Sequence, residues 1–94
     1  MLITNPLFHL GDVVATPESI CTLNDHGISA HSLLQRHATG DWGDLCADDI
    51  KANNDALQYG DRLLSSYVIS DSCKVWIITE WDRSVTTILL PSEY

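Results

Sequence analysis

Ninety-four residues suffice for one domain, 1–94, and are too few for two independent cores. Thirteen Asp and Glu against five Lys and Arg give a net charge of −8. That balance argues against direct binding to a nucleic-acid backbone or an acidic membrane surface, both of which need clustered cations, and it favours a basic protein partner.

In chain order, Met1 to Leu10 is an irregular lead-in broken by Asn5-Pro6, and Asp12-Val13-Val14-Ala15 is a brief first strand. Thr16-Pro17-Glu18 starts a helix: the threonine hydroxyl accepts an orphan amide, proline suits the first position and glutamate the positive end. Ile20, Leu23 and Cys21 are its expected buried stripe, and Gly27 ends it. Ser29 caps a second helix with Leu33 and Leu34 inward and Arg36-His37 in the last turn, where cations suit the dipole. Asp41-Trp42-Gly43-Asp44 is a turn. The third helix spans Ala47 to Tyr59, with Asp48 and Asp49 in its first turn, Ala52, Ala56, Leu57 and Tyr59 as a thin buried face, and Gly60 as its stop.

The period then changes from helical to alternating. Leu63 to Ile69, Val75 to Ile78 and Val85 to Leu90 read as three strands, the second apolar on both faces, so that Trp76 is core. Links as short as Asp71-Ser72 and Trp81–Ser84 require antiparallel neighbours. The expected fold is α+β: three N-terminal helices packed on one face of a C-terminal antiparallel sheet of three to four strands.

Cys21, Cys46 and Cys73 are odd in number, widely spaced and without a CxxC pair, which suggests neither a zinc ribbon nor a disulfide framework. They are expected as reduced thiols that mostly pack as small apolar groups. The N-terminus lacks a basic start followed by an apolar run, and no stretch has the length of a membrane span, so the expectation is a cytoplasmic protein with no signal peptide and no membrane contact. His9, His26 and His31 have no ligand-like spacing with the cysteines, so no metal is expected, and no glycine-rich loop suggests a cofactor.

Several groups carry candidate chemistry. Glu80, Asp82 and Arg83 flank a hairpin turn, where an arginine between carboxylates can clamp an anion while Glu80 acts as base, or simply make a surface ion pair. His37 and Asp41 can form a histidine–carboxylate pair, or His37 can be a helix-terminal residue favoured by the dipole. Trp42 is read as core and Trp81 as exposed, a common anchor for partners. Six aspartates between 41 and 61 stand against Lys51 alone, and on the third helix Asp48, Asp49 and Asp55 form a negative face, either a binding surface or a solvated one.

Four segments together resemble a family of small bacterial proteins found on plasmids, integrated elements and chromosomes. They are Gly11-Asp12-Val13-Val14-Ala15-Thr16-Pro17, Arg36-His37-Ala38-Thr39-Gly40-Asp41-Trp42-Gly43, Gly60-Asp61-Arg62-Leu63-Leu64-Ser65-Ser66-Tyr67, and Trp76-Ile77-Ile78-Thr79-Glu80-Trp81-Asp82-Arg83-Ser84 through Pro91-Ser92-Glu93-Tyr94. Members are mostly labelled hypothetical or plasmid-related, some as the M subunit of a type I restriction endonuclease. A methyltransferase needs a cofactor-binding sheet far larger than this chain. Trp81 stands where relatives usually carry a small residue, and the Asp71-Ser72-Cys73 turn lacks their glycine.

Three readings follow. The first is a protein-binding module of mobile-element or defence context, with Asp41, Trp42, Asp48, Asp49, Asp55, Trp81, Asp82 and Arg83 as candidate contacts. The second is a small barnase- or RelE-like ribonuclease using His37, Glu80, Arg83 and Thr87 as acid, base and phosphate clamp, by analogy of fold. The third is a structural homodimer paired through a sheet edge or Trp81.

Overall fold

A computed structural model describes residues 3–94, so the first two residues of the expected lead-in lie outside the described residues. The elements are β1 (Asp12–Ala15), α1 (Pro17–Asp25), α2 (Ala30–Ala38), α3 (Ala47–Tyr59), β2 (Leu63–Ser70), β3 (Cys73–Thr79) and β4 (Val85–Leu89), followed by a short 3₁₀ turn at Pro91–Glu93. Local chemistry explains most of these limits. Ser19 N–H donates to the Thr16 hydroxyl at 3.2 Å, Ser32 N–H donates to the Ser29 hydroxyl at 3.0 Å, and Gly60 ends α3 in the left-handed region at φ +80°.

The sheet is not antiparallel throughout. Its order is β1-β4-β3-β2, with β2–β3 and β3–β4 antiparallel and β1 parallel to β4, so the four strands form a mixed sheet. Short turns dictate the direction of β2, β3 and β4. They say nothing about β1, which is separated from the other strands by all three helices; that long crossover is what a parallel arrangement requires.

Side chains alternate across the sheet. Every strand residue in the two buried apolar clusters, namely Leu63, Tyr67, Val75, Ile77 and Ile88, points to one face, where Leu23 of α1 and Leu33 and Leu34 of α2 meet it. Trp76 belongs to the opposite face. It is half-buried rather than core and meets Tyr94 edge-on at 5.8 Å, because the register that sends Val75 and Ile77 inward sends Trp76 outward. Tyr94 also lies against Arg62, which stacks on its ring and donates to its hydroxyl.

Two helix faces differ from expectation. In α1 the buried pair is Ser19 and Leu23, one turn apart, while Ile20 and Cys21 are exposed. Ser19 tolerates burial because its hydroxyl bonds the Ile88 carbonyl at 3.1 Å and the Thr16 carbonyl at 2.8 Å. In α3 the buried residues are Asn53 and Ala56; Leu57 is half-buried, whereas Ala52 and Tyr59 are exposed. Cys46 is exposed as well, so of the three thiols only Cys73 is even partly packed.

Asn53 matters because it closes an edge. Its amide donates to the Leu64 carbonyl at 2.6 Å and accepts from Leu64 N–H at 3.1 Å, as a neighbouring strand would. Further along β2, Ser66 N–H reaches the Trp42 carbonyl at 3.1 Å, Asp44 N–H reaches the Ser66 carbonyl at 2.6 Å, and Val68 N–H reaches the Asp44 carboxylate at 3.0 Å. The outer edge of β2 is therefore closed from Leu64 to the N–H of Val68. The outer edge of β1 is not: all four of its residues are exposed and no strand lies beyond it among the described residues.

Candidate functional site

The β3–β4 hairpin is organised by Arg83. This residue adopts a left-handed backbone at φ +60°, and its side chain runs under the hairpin to the end of α3. One guanidinium nitrogen donates to the carbonyls of Asp61 at 2.7 Å, Glu80 at 3.1 Å and Trp81 at 3.3 Å; the other donates to the Ala56 carbonyl at 3.1 Å. Its carbon lies 5.6 Å from the centre of the Phe8 ring. A cation at the negative end of α3, bonded to a carbonyl of the last turn, is favoured by the helix dipole. Arg83 thus ties the hairpin tip to the α3–β2 corner and is occupied in doing so. It is not an anion clamp.

The tip itself is turned outward. Trp81 is 66% exposed, and Tyr59 at the end of α3 is 73% exposed. Asp82 accepts from the backbone and hydroxyl of Ser84 at 3.1 and 2.6 Å; these bonds hold its carboxyl below the usual carboxylate range. Because the carbonyls of Asp61, Glu80 and Trp81 share one guanidinium nitrogen, the backbones of these three residues are held together at this corner. Replacing Arg83 with alanine should lower stability by about 2–3 kcal/mol in urea unfolding, given charge-assisted bonds to several carbonyls. Arg83→Gly should be the milder change by about 1 kcal/mol, since glycine relieves the left-handed backbone. Equal losses would show that the backbone at 83 carries no strain.

Of the two alternatives for His37, the pair with Asp41 does not form. Asp41 is instead bonded to Arg36 at 2.7 and 3.3 Å, which raises the arginine pKa and, through this bond first, lowers that of the aspartate. Both partners are about half exposed. Arg36 also lies over the Tyr67 ring at 4.5 Å, and the Tyr67 hydroxyl donates to the Asp41 carbonyl at 2.7 Å. Burial raises the Tyr67 pKa to about 12.

His37 faces the sheet with no exposed surface. Its Nδ1 is 2.6 Å from the Ser65 hydroxyl and its Nε2 is 2.9 Å from that of Thr79. Thr79 lies 2.7 Å from the Thr86 hydroxyl, which lies 2.7 Å from the Leu10 carbonyl. That carbonyl can only accept, and each hydroxyl has one proton, so every donor is determined. Thr86 donates to Leu10, Thr79 to Thr86, His37 Nε2–H to Thr79, and Ser65 to the bare Nδ1. The imidazole is neutral, and Phe8 at 5.3 Å and Trp42 at 5.7 Å wall it edge-on. Burial first, and the Arg83 charge second, push its pKa down to about 3.

This geometry separates the ribonuclease candidates. Both nitrogens of His37 are engaged in the interior, Arg83 is committed to carbonyls, and Thr87 lies on the opposite sheet face; it is Thr86 that joins the network. The binding candidates fall in three places. Trp42 is buried, with its indole N–H donating to Asn54 at 3.1 Å, beside the Arg36–Asp41 pair. Asp48 and Asp49 are exposed at the start of α3, roughly 15 Å along the helix from Tyr59 at its usual rise per residue. Asp55 is bonded to Lys51 at 2.9 Å, which neutralises one of the three aspartates of the expected negative face. Trp81, Asp82 and Arg83 form the hairpin.

Phe8, Asn53, Ser65, Thr79 and Thr86 were not singled out by the sequence reading. Serine and threonine at alternate strand positions beside a helical histidine were the available signal for the network. Among the described residues no group of three His, Cys, Asp or Glu gathers as a metal site, and no helix is long and apolar enough to cross a membrane. No family model, curated protein or solved structure matches the chain.

Proposed function

We propose that the chain is a protein-binding module that receives a basic segment of a partner protein at its β3–β4 hairpin. The carrying observation is Trp81, two-thirds exposed on a turn that Arg83 locks to α3, with Glu80 and Asp82 as its chain neighbours. A large aromatic side chain on a rigid backbone loses little entropy on binding, and its ring face attracts arginine and lysine. The disposition of the cations supports this reading. Arg36 and Lys51 are in ion pairs, Arg83 is bonded to carbonyls and Arg62 is stacked on Tyr94, and Lys74 is the fifth cation against thirteen carboxylates, so the excess negative charge is left largely uncompensated.

Asp48 and Asp49 lie outside the hairpin site and would act through long-range attraction. The mobile-element or defence setting rests on the family resemblance. The ribonuclease reading draws no support from a His37 and an Arg83 committed to interior hydrogen bonds and a Thr87 on the opposite sheet face.

The test is capture of partners on tagged protein in cells of a strain that carries this chain, comparing wild type with Trp81→Ala and with Asp61→Asn/Asp82→Asn. Trp81→Ala should weaken the principal complex by about 30-fold, a typical hot-spot loss. The double aspartate variant should reduce its salt sensitivity. Undiminished capture by both variants would refute the assignment.

A further inference from the structure

We propose that the outer edge of β1 accepts an extended basic segment of a partner protein as a fifth strand. This surface borders the hairpin, sharing Asp82 with it, but it is carried by separate observations on β1. Asp12 N–H donates to the Ser84 carbonyl and Thr16 N–H to the Ile88 carbonyl, each at 3.0 Å. Alternate residues of a strand direct their backbone groups to opposite sides, so the N–H and C=O of Val13 and Ala15 point away from the sheet.

Edges are ordinarily blunted. The β2 edge is, by Asn53, Trp42 and Asp44, whereas β1 has no lysine, proline or bulge within it, and Val13 and Val14 are 38% and 48% exposed. A trough of about 520 Å³ lies along this edge, lined by Pro6, Phe8, Leu10 and Val13 among others. Val13 shares the helix-facing side of the sheet with Thr86, so alternate side chains of an added strand would project toward this trough.

Charge identifies the occupant. Asp12 opens the strand, Asp82 lies in the adjoining turn and Glu18 follows the strand's end; none is in an ion pair among the described residues, whose two such pairs are Arg36–Asp41 and Lys51–Asp55. A second copy, itself at net charge −8, would bring the same anions against these. A strand flanked by lysine or arginine would satisfy them.

The probe is the acetylated and amidated peptide Lys-Val-Thr-Val-Thr-Val-Lys, titrated into the full chain while the amide signals of Val13 and Ala15 are followed by NMR. Saturable shifts at those two amides are expected. Val13→Pro removes one outward N–H and leaves the bonds to β4 in place, so it should weaken binding about tenfold or more. N-methylation of alternate peptide amides should do the same without altering the protein, which covers the case in which the proline variant does not fold. Exchanging both peptide lysines for glutamate should reduce affinity several-fold.

Absence of saturable shifts, or binding indifferent to N-methylation, would overturn the proposal. So would a solution mass near twice 10.4 kDa that Val13→Pro returns to the monomer value, since the edge would then belong to a second copy.

Discussion

Stability is expected to fall steeply as pH drops from 6.5 toward 3, and His37 is the cause. In the unfolded chain its imidazole takes a proton near its ordinary pKa of 6.5; in the folded chain it does so only at about 3. Between those values the unfolded state holds one more proton, so the stability of the folded state rises with pH and is lost on acidification. The contribution is complete above 6.5 and gone below about 3. A group displaced this far contributes on the order of 4 kcal/mol, a large share of the roughly 5–10 kcal/mol that holds a domain of this size.

Burial accounts for the direction first, and the charge of Arg83 second. His37 has no exposed surface and Phe8 and Trp42 pack edge-on against its ring, so an imidazolium there would be a charge taken out of water. Asp41, held low by Arg36, adds acid sensitivity only from its ordinary 3.8 downward, at the low end of this window and beyond it. Urea unfolding at a series of pH values should show the slope, and His37→Gln, which keeps a donor and an acceptor but cannot titrate, should flatten it between pH 6.5 and 4. An NMR titration placing the wild-type imidazole pKa above 6 would refute this account without any variant.

Gly43→Ala should cost about 4 kcal/mol, from a left-handed backbone that alanine resists, a steric overlap and broken edge bonds. At φ +77° a Cβ would overlap the Ser66 carbonyl and the Tyr67 ring. Relief requires moving residues 42–44 off β2, which breaks the bonds from Ser66 N–H to Trp42 and from Asp44 N–H to Ser66. No side-chain rotation helps, because the nearest obstacle is backbone. Gly27 is the control: its φ is similar at +67°, but nothing lies within 4 Å of its missing Cβ. Gly27→Ala should therefore lose only about 1 kcal/mol, the conformational part alone. Equal losses in urea unfolding would mean that close approach to β2 is not what requires glycine at 43.

The candidate site was partly legible. Trp81 as exposed and Trp42 as core followed from a hairpin tip and a glycine-flanked turn, and both positions agree with the structure. Arg83 was identified as a residue of consequence but given the wrong task, because the carbonyls of Ala56 and Asp61 that it binds come from a distant helix end. Thr87 was chosen over Thr86 because a run of two threonines does not reveal which of them faces the helices. His37 was paired with its sequence neighbour Asp41, while its true partners are 28 and 42 residues away.

What this sequence determines unaided is everything that acts within a few residues. Thr16 and Ser29 cap their helices, Gly60 stops α3, and alternation with short turns makes β2, β3 and β4 antiparallel, because hydroxyl reach, left-handed backbone and turn length are local properties. Only the tertiary structure decides that β1 lies parallel to β4 and that Asn53 serves as a strand edge. It also decides that Trp76 faces away from the helices and that a carbonyl at Leu10 sets the protons on His37. These are pairings between distant segments, and they arise from the competition of all buried surfaces and hydrogen-bonding groups for partners at once, which no short window of residues contains.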